Sequence, residues 1–201
     1  MTTSASDPIV GLLLAAGRSS RAQCNKLLLE LDSGYPVIAQ SAHHLRAAVD
    51  RLVVIVPRQD GTLAPTLVEN HWENVACEQA HLGLGHSLAC GIEHTPRAQG
   101  WIVALADMPW ISVDTIQRVA DRLRAGAGLA IPVCAGRRGH PVGFGADYRE
   151  ELLRLRGDQG GRRILQRDRE NVVEIECADR GILLDIDREE DLARDPGTAP
   201  N

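Results

Sequence analysis

Apolar residues along this chain gather in short unbroken runs, at Ile9 to Leu14, Leu52 to Val56, Trp101 to Leu105 and Leu129 to Pro132. Such runs, without polar residues at alternate positions, predict strands covered on both faces, as in a parallel sheet. Between them the spacing turns helical, over Pro36 to Val49, Leu63 to Asn70, His86 to His94 and Val113 to Arg124, the last led by Ser112 at the N-cap. Strand and helix therefore alternate, and sheets built this way hold ligands beyond the carboxyl ends of their strands. After about residue 135 the pattern loosens into Gly- and Arg-rich turns. Helices are then predicted near Tyr148 to Arg154 and Arg162 to Arg167, a strand pair near Val172 to Ile175 and Ile182 to Leu184, and a short helix near Glu189 to Ala193.

Composition narrows the picture. With 201 residues, one core and no internal repeat are expected, and with only 3% aromatic residues that core is filled by Leu, Ile, Val and Ala. A net charge of −5 opposes a general nucleic-acid partner. Five scattered cysteines, without a CxxC pair or zinc-finger spacing, read as reduced thiols in a cytoplasmic protein. No leader pattern opens the chain and no apolar run approaches the roughly 20 residues of a membrane span, so no membrane partner is expected.

Candidate chemistry begins where the first strand ends. Leu14, Ala15, Ala16 and Gly17 let backbone approach a ligand closely, and Arg21 and Lys26 follow as cations. Neither GxxxxGK[ST] nor GxGxxG is present, yet amide donors and two cations are what triphosphate recognition needs; a tight strand-to-helix turn with solvated charges is the plain alternative. Asp107 follows the strand Trp101 to Leu105, where its carboxylate suits Mg²⁺ or simply forms a turn before Met108-Pro109. Asp185 and Asp187 flank Ile186 in an extended segment, so they should face opposite ways and only one should join Asp107. Gly83, Gly85 and Ser87 open a helix, serving either an anion or the helix cap. Arg137, Arg138, Arg162 and Arg163 make the second half cationic, with Arg162 beside the amides of Gly160 and Gly161.

Six segments occur in one order: AAGRSSR with Lys26, GLGHSLACG from Gly83, ALADMPW from Ala104, GRRGHPVGF from Gly136, GDQGGRRIL from Gly157 and DIDREEDL from Asp185. Together they resemble the molybdenum cofactor nucleotidyltransferases, and within the MobA-like NTP transferases the cytidylyltransferase branch, across nearly the whole chain. The resemblance implies an α/β, Rossmann-like (GT-A-like) three-layer sandwich, its central sheet mostly parallel with one antiparallel strand. It implies one domain over residues 1–201 with flexible termini, residues 8–134 holding nucleotide and 135–194 the acceptor.

The implied reaction moves CMP from CTP to the terminal phosphate of molybdopterin, with Mg²⁺ as cofactor, for a molybdenum hydroxylase or its maturation chaperone. Arg21, Lys26 and Asp107 would be catalytic, and Asp107 and Asp187 metal ligands, Asp187 also being placed to cap the following helix. Leu14, Ala15, Ala16, Gly17, Gly83, Gly85 and Ser87 would touch the nucleotide, and His140 and Arg162 the acceptor. An ionised phosphate needs no base to attack, so His140 orients substrate or braces the turn before Pro141. Ala16, where the guanylyl branch has a second glycine, points to a pyrimidine. One departure is Gln23, where relatives carry glycine after Arg-x. The competing readings are a transferase using GTP or a sugar, polyol or lactate phosphate acceptor, and a non-catalytic molybdenum cofactor carrier.

Overall fold

The computed structural model of the chain describes residues 7–16, 25–58 and 61–194. The first apolar run is β1 (Ile9–Leu14), buried along its whole length. It leads through a short 3-10 turn at Lys26–Leu28 into α1 (Val37–Ala48), then β2 (Arg51–Pro57), α2 (Ala64–Glu69), β3 (Asn74–Cys77), α3 (Leu84–His94), β4 (Gly100–Leu105), α4 (Val113–Arg124) and β5 (Leu129–Cys134). The second part adds β6 (Arg137–Arg138), β7 (Val142–Gly145), α5 (Arg149–Leu153), α6 (Arg162–Arg167) and β8 (Val172–Glu176).

The strands form one sheet in the order β3-β2-β1-β4-β7-β5-β6, with β8 also on β5. β1 runs parallel to β2 and β4, and β5 parallel to β8. β7 runs antiparallel to both β4 and β5, so it is the reversed strand of the main sheet. The two-residue β6 is antiparallel as well and extends the expectation of a single reversed strand. Helices cover both faces: Leu45 of α1 and Ile116, Val119 and Leu123 of α4 pack on one side, and Leu88 and Ile92 of α3, Leu152 of α5 and Ile164 of α6 on the other. A three-layer α/β sandwich results, as the alternating pattern required.

Ser112 caps α4 as expected, accepting from Thr115 N–H. The chain turns back after β5 at Ala135 and Gly136, both in the left-handed region that tight hairpins need. β7 (VGFG) contains two glycines and does not read as a strand, because its register is set from outside. A Cβ on Gly143 would lie 2.9 Å from Val119, so glycine lets α4 pack directly on the strand. The fully buried Trp101 donates from Nε1 to Thr95 Oγ1 at 2.8 Å, and Thr95 donates onward to Gly91 O, linking β4 to α3. Among the described residues, Cys77, Cys90, Cys134 and Cys177 are free thiols. Burial and the neighbouring Cys77 push the Cys90 thiol up to about 12, which keeps it protonated and unreactive at neutral pH.

Ile182 to Leu184 is not a strand. Asp179 caps a 3-10 turn over Arg180–Leu183 by accepting from Gly181 N–H, and Gly181 rests on the backbone of Trp110. A Cβ on Gly181 would lie 2.2 Å from Trp110 O, so Gly181→Ala must push the two segments apart. Overpacking of this kind costs about 1–3 kcal/mol. In thermal unfolding the variant should melt lower by about 2–4 °C per kcal/mol lost.

Candidate active site

Three carboxylates meet at the carboxyl edge of the sheet. Asp107 follows β4, and Ala106 just before it is fixed twice: its N–H donates to Leu14 O and its carbonyl accepts from Ser41 Oγ. Ile186, fully buried, donates its N–H to Asp107 O at 2.8 Å and so pins the C-terminal segment beside this loop. Asp187 and Arg188 both donate their N–H groups to one oxygen of the buried Asp191 at 2.9 Å. Asp179 adds a clasp by accepting from Ser112 N–H.

This curled backbone overturns the expectation that Asp185 and Asp187 face opposite ways. The segment is irregular, so strand alternation does not apply, and Asp107, Asp185 and Asp187 each place an oxygen within 4.8 Å of the others. The cap expected of Asp187 is supplied in reverse by Asp191, whose carboxylate reaches back to the Asp187 amide.

Lys26 lies at the centre of the group. Asn25 caps its short turn by accepting from Leu27 N–H and also donates to Thr62, which fixes where the lysine stem begins. Its ammonium donates to Asp107 Oδ2 and Asp187 Oδ1, both at 2.8 Å. Burial lowers the lysine's affinity for its proton, but its hydrogen bonds to the two carboxylates, with their charges, outweigh this and hold the pKa above the ordinary value. One ammonium thus bridges two of the three carboxylates, and the three together form an all-oxygen donor set. That set fits a hard divalent ion such as Mg²⁺ or Mn²⁺.

Beside the cluster opens a cleft of about 610 Å³, within the range of small-molecule sites. Its walls are Leu84 and Leu88 of α3 and Val103, Leu105, Val142 and Phe144 of the sheet, with Arg138, His140 and Arg162 supplying polar groups. His140 is half-buried, and burial pushes its imidazole down against the pull of Asp107, the Val103 backbone and Asp185. It is therefore neutral at pH 7, and its enclosed Nδ1 has no partner among the described residues. Its backbone N–H donates to Ile182 O, so the residue also braces its turn. Arg162 is exposed and makes no ion pair among the described residues, whereas Arg138 is tied to Glu174 at 2.6 Å.

Leu14, Ala15 and Ala16 lie at the end of β1, with Ala15 N–H donating to Ile55 O. Gly17, Arg21, Gln23 and Cys24 fall outside the described residues. Gly83 and Gly85 have a packing reason to be glycine: a Cβ on Gly83 would sit 2.4 Å from Gly157 and Asp158, and one on Gly85 2.9 Å from Gly157 O. Two stretches of backbone cross closely here, at the entrance to α3. Ser87 is buried, its Oγ without a partner among the described residues, one helical turn before Gly91, which packs on Leu12 and Ile55 of the sheet. His86, which lies within the GLGHSLACG segment but has no role expected from the sequence, accepts from Gly157 N–H at 3.1 Å and ties α3 to the loop before α6. Asp185 and Asp191 were equally hidden, since strand alternation misdirected the first and the second sits among other acidic residues.

An α/β sandwich whose sheet edge gathers a lysine and carboxylates next to a cleft is the architecture of a nucleotidyltransferase. The chain belongs to the family described as the MobA-like NTP transferase domain, whose model matches residues 11–172. It is 28% identical over 194 residues to the purine catabolism protein PucB of Bacillus subtilis strain 168, covering 91% of this chain and 93% of PucB. Among solved structures, Rv0371c of Mycobacterium tuberculosis H37Rv superposes with a TM-score of 0.78 at 28% identity, covering 94% of this chain and 97% of that one. The same protein has been crystallised in complex with manganese, at a TM-score of 0.75 and 26% identity, covering 94% of this chain and 98% of that one. A nucleotidyl transferase of Methanothermobacter shares the fold, with a TM-score of 0.79 at 24% identity over 93% of this chain and 95% of its own. No helix among the described residues is long and apolar enough to cross a membrane.

Removing the Asp191 carboxylate would strip two backbone donors of their acceptor in a buried setting. Asp191→Ala should cost about 1–3 kcal/mol in urea unfolding, while Asp191→Asn, which keeps an acceptor oxygen, should cost less.

Proposed function

We propose that the protein transfers CMP from CTP to the terminal phosphate of molybdopterin, releasing pyrophosphate, and so supplies a cytosine dinucleotide cofactor to molybdenum hydroxylases. The observation that carries this reading is the Lys26, Asp107, Asp185 and Asp187 cluster opening onto a largely apolar cleft. Family membership supports nucleotidyl transfer, and the six ordered segments support the molybdenum branch. A flat heteroaromatic acceptor suits walls of Leu84, Leu88, Val142 and Phe144 better than a sugar, which would need polar partners there. The name of the Bacillus relative, a purine catabolism protein, supports a setting in purine breakdown.

In this reading a terminal phosphate oxygen of the acceptor attacks the α-phosphorus of CTP. The new P–O bond forms as the α–β bridge breaks, and pyrophosphate leaves with the bonding electrons. Positioning and charge neutralisation carry the catalysis. Leu14, Ala15 and Ala16 at the end of β1, together with Gly17, Gly83 and Gly85, take the nucleotide, with Ser87 supplying a hydroxyl that lacks a hydrogen-bond partner among the described residues. Arg21 and Lys26 stabilise the leaving pyrophosphate, while Arg162 takes the acceptor phosphate and the neutral His140 orients the acceptor. Residues 8–134 thus serve the nucleotide and residues 135–194 the acceptor. Asp107 and Asp187 would hold Mg²⁺, which supplies Lewis-acid neutralisation of phosphate charge when bound; the manganese complex of Rv0371c supports a divalent ion at such a site.

Incubation with Mg²⁺, CTP and molybdopterin, followed by product identification and pyrophosphate assay, tests the reading. Turnover should exceed that with GTP, should vanish with EDTA, and should fall roughly 10²- to 10³-fold in Asp107→Ala. A protein that binds molybdopterin but releases no pyrophosphate would be a carrier instead.

A further inference from the structure

Lys26 is the only lysine in the chain; every other fixed cation is arginine. Its ammonium occupies the gap between Asp107 and Asp187, 2.8 Å from an oxygen of each, with Asp185 alongside. A divalent ion held by those carboxylates would draw on the same oxygens at about 2.0–2.1 Å. Two cations competing for one pair of oxygens repel each other, so the geometry sets ammonium and metal in competition. An ammonium is a compact point charge on a flexible four-carbon stem that can leave such a gap for another anion, whereas the planar guanidinium of arginine neither fits nor leaves as easily.

We propose that Lys26 holds the place of the divalent cation in the unliganded protein, and that a bound triphosphate draws the ammonium away and opens the carboxylates to the metal. This rests on the nucleotidyl-transfer reading and adds a preference of order to it: metal fills the site more weakly before nucleotide than after it. Triphosphate and metal are then positively coupled, and by linkage each raises the affinity for the other by the same factor. Asn25, which caps the turn and bonds Thr62, keeps the base of the lysine fixed, so the exchange needs only rotation of the side chain.

Mn²⁺ binding to the full chain, read from the EPR signal of the free ion, tests this with inorganic tripolyphosphate as the triphosphate probe. Without tripolyphosphate, Lys26→Met should bind Mn²⁺ roughly 10-fold more tightly than the wild type, inside the usual 5- to 150-fold span of site couplings. Tripolyphosphate should tighten Mn²⁺ binding in the wild type and should do so less in Lys26→Met, where no ammonium has to be drawn away. An unchanged or weaker Mn²⁺ affinity in Lys26→Met overturns the proposal. A second measurement uses the wild type alone: trace acylation with acetic anhydride, quantified by mass spectrometry, has one lysine to report on. Lys26 should become more reactive when Mn²⁺ alone saturates the protein, and constant reactivity also overturns the proposal. If these results fail while Mn²⁺-dependent CMP transfer persists, the exchange is wrong and the transferase stands; if the wild type binds no Mn²⁺ even with tripolyphosphate, the transferase reading falls as well.

Discussion

A single backbone hydrogen bond, from Ile186 N–H to Asp107 O, holds the site in being. Asp107 belongs to the sheet edge and Ile186 to the last described segment, so this bond joins parts of the chain that share no element. Ile186 is fully buried, which excludes water as a substitute partner and makes the bond costly to leave unmade. The Asp179 clasp and the contact of Gly181 with Trp110 secure the same junction, and Asp191 curls the segment that follows it. Much of the polar chemistry of the C-terminal segment is thus spent on holding carboxylates in place.

That arrangement explains an apparent excess of acid. A carboxylate cluster repels itself, and this one persists because Lys26 sits within it while Asp191 is occupied by backbone amides. Stabilising the unliganded site and neutralising a polyphosphate are opposite demands on one ammonium. The raised pKa of Lys26 shows that the charge is retained in the first role, and retention is also what the second requires.

The layered architecture was legible because buried parallel strands announce themselves as apolar runs: β1 and α4 fall where the pattern put them. β7 was not, since its glycines answer to α4 across the interface rather than to strand propensity. Asp107 was visible as the residue after a buried strand, and Lys26 as a cation beyond another. Their meeting was not, because it depends on Asn25 and on an irregular segment whose periodicity carries no information. Asp185 shows the hazard most plainly: alternation is a property of extended backbone, and a chain bent by side-chain clasps does not obey it. Gly83 and Gly85 stood out as glycines at a helix start, but their packing against Gly157 and Asp158 could not be read from the sequence.

The two sides of α3 differ in stiffness. Toward the sheet, the relay from Trp101 through Thr95 to Gly91, with Gly91 pressed onto Leu12 and Ile55, locks the helix against sliding. Toward residues 156–161, the hold among the described residues is the bond from Gly157 N–H to His86, the close passage of glycine backbones and the packing of Leu84 on Gly160. Mechanically, the cleft is a vice with one fixed jaw. A ligand wedged between α3 and the Phe144 floor can be gripped more tightly only from the Gly157 to Arg162 side, so any adjustment to the size of the occupant must be made by that jaw.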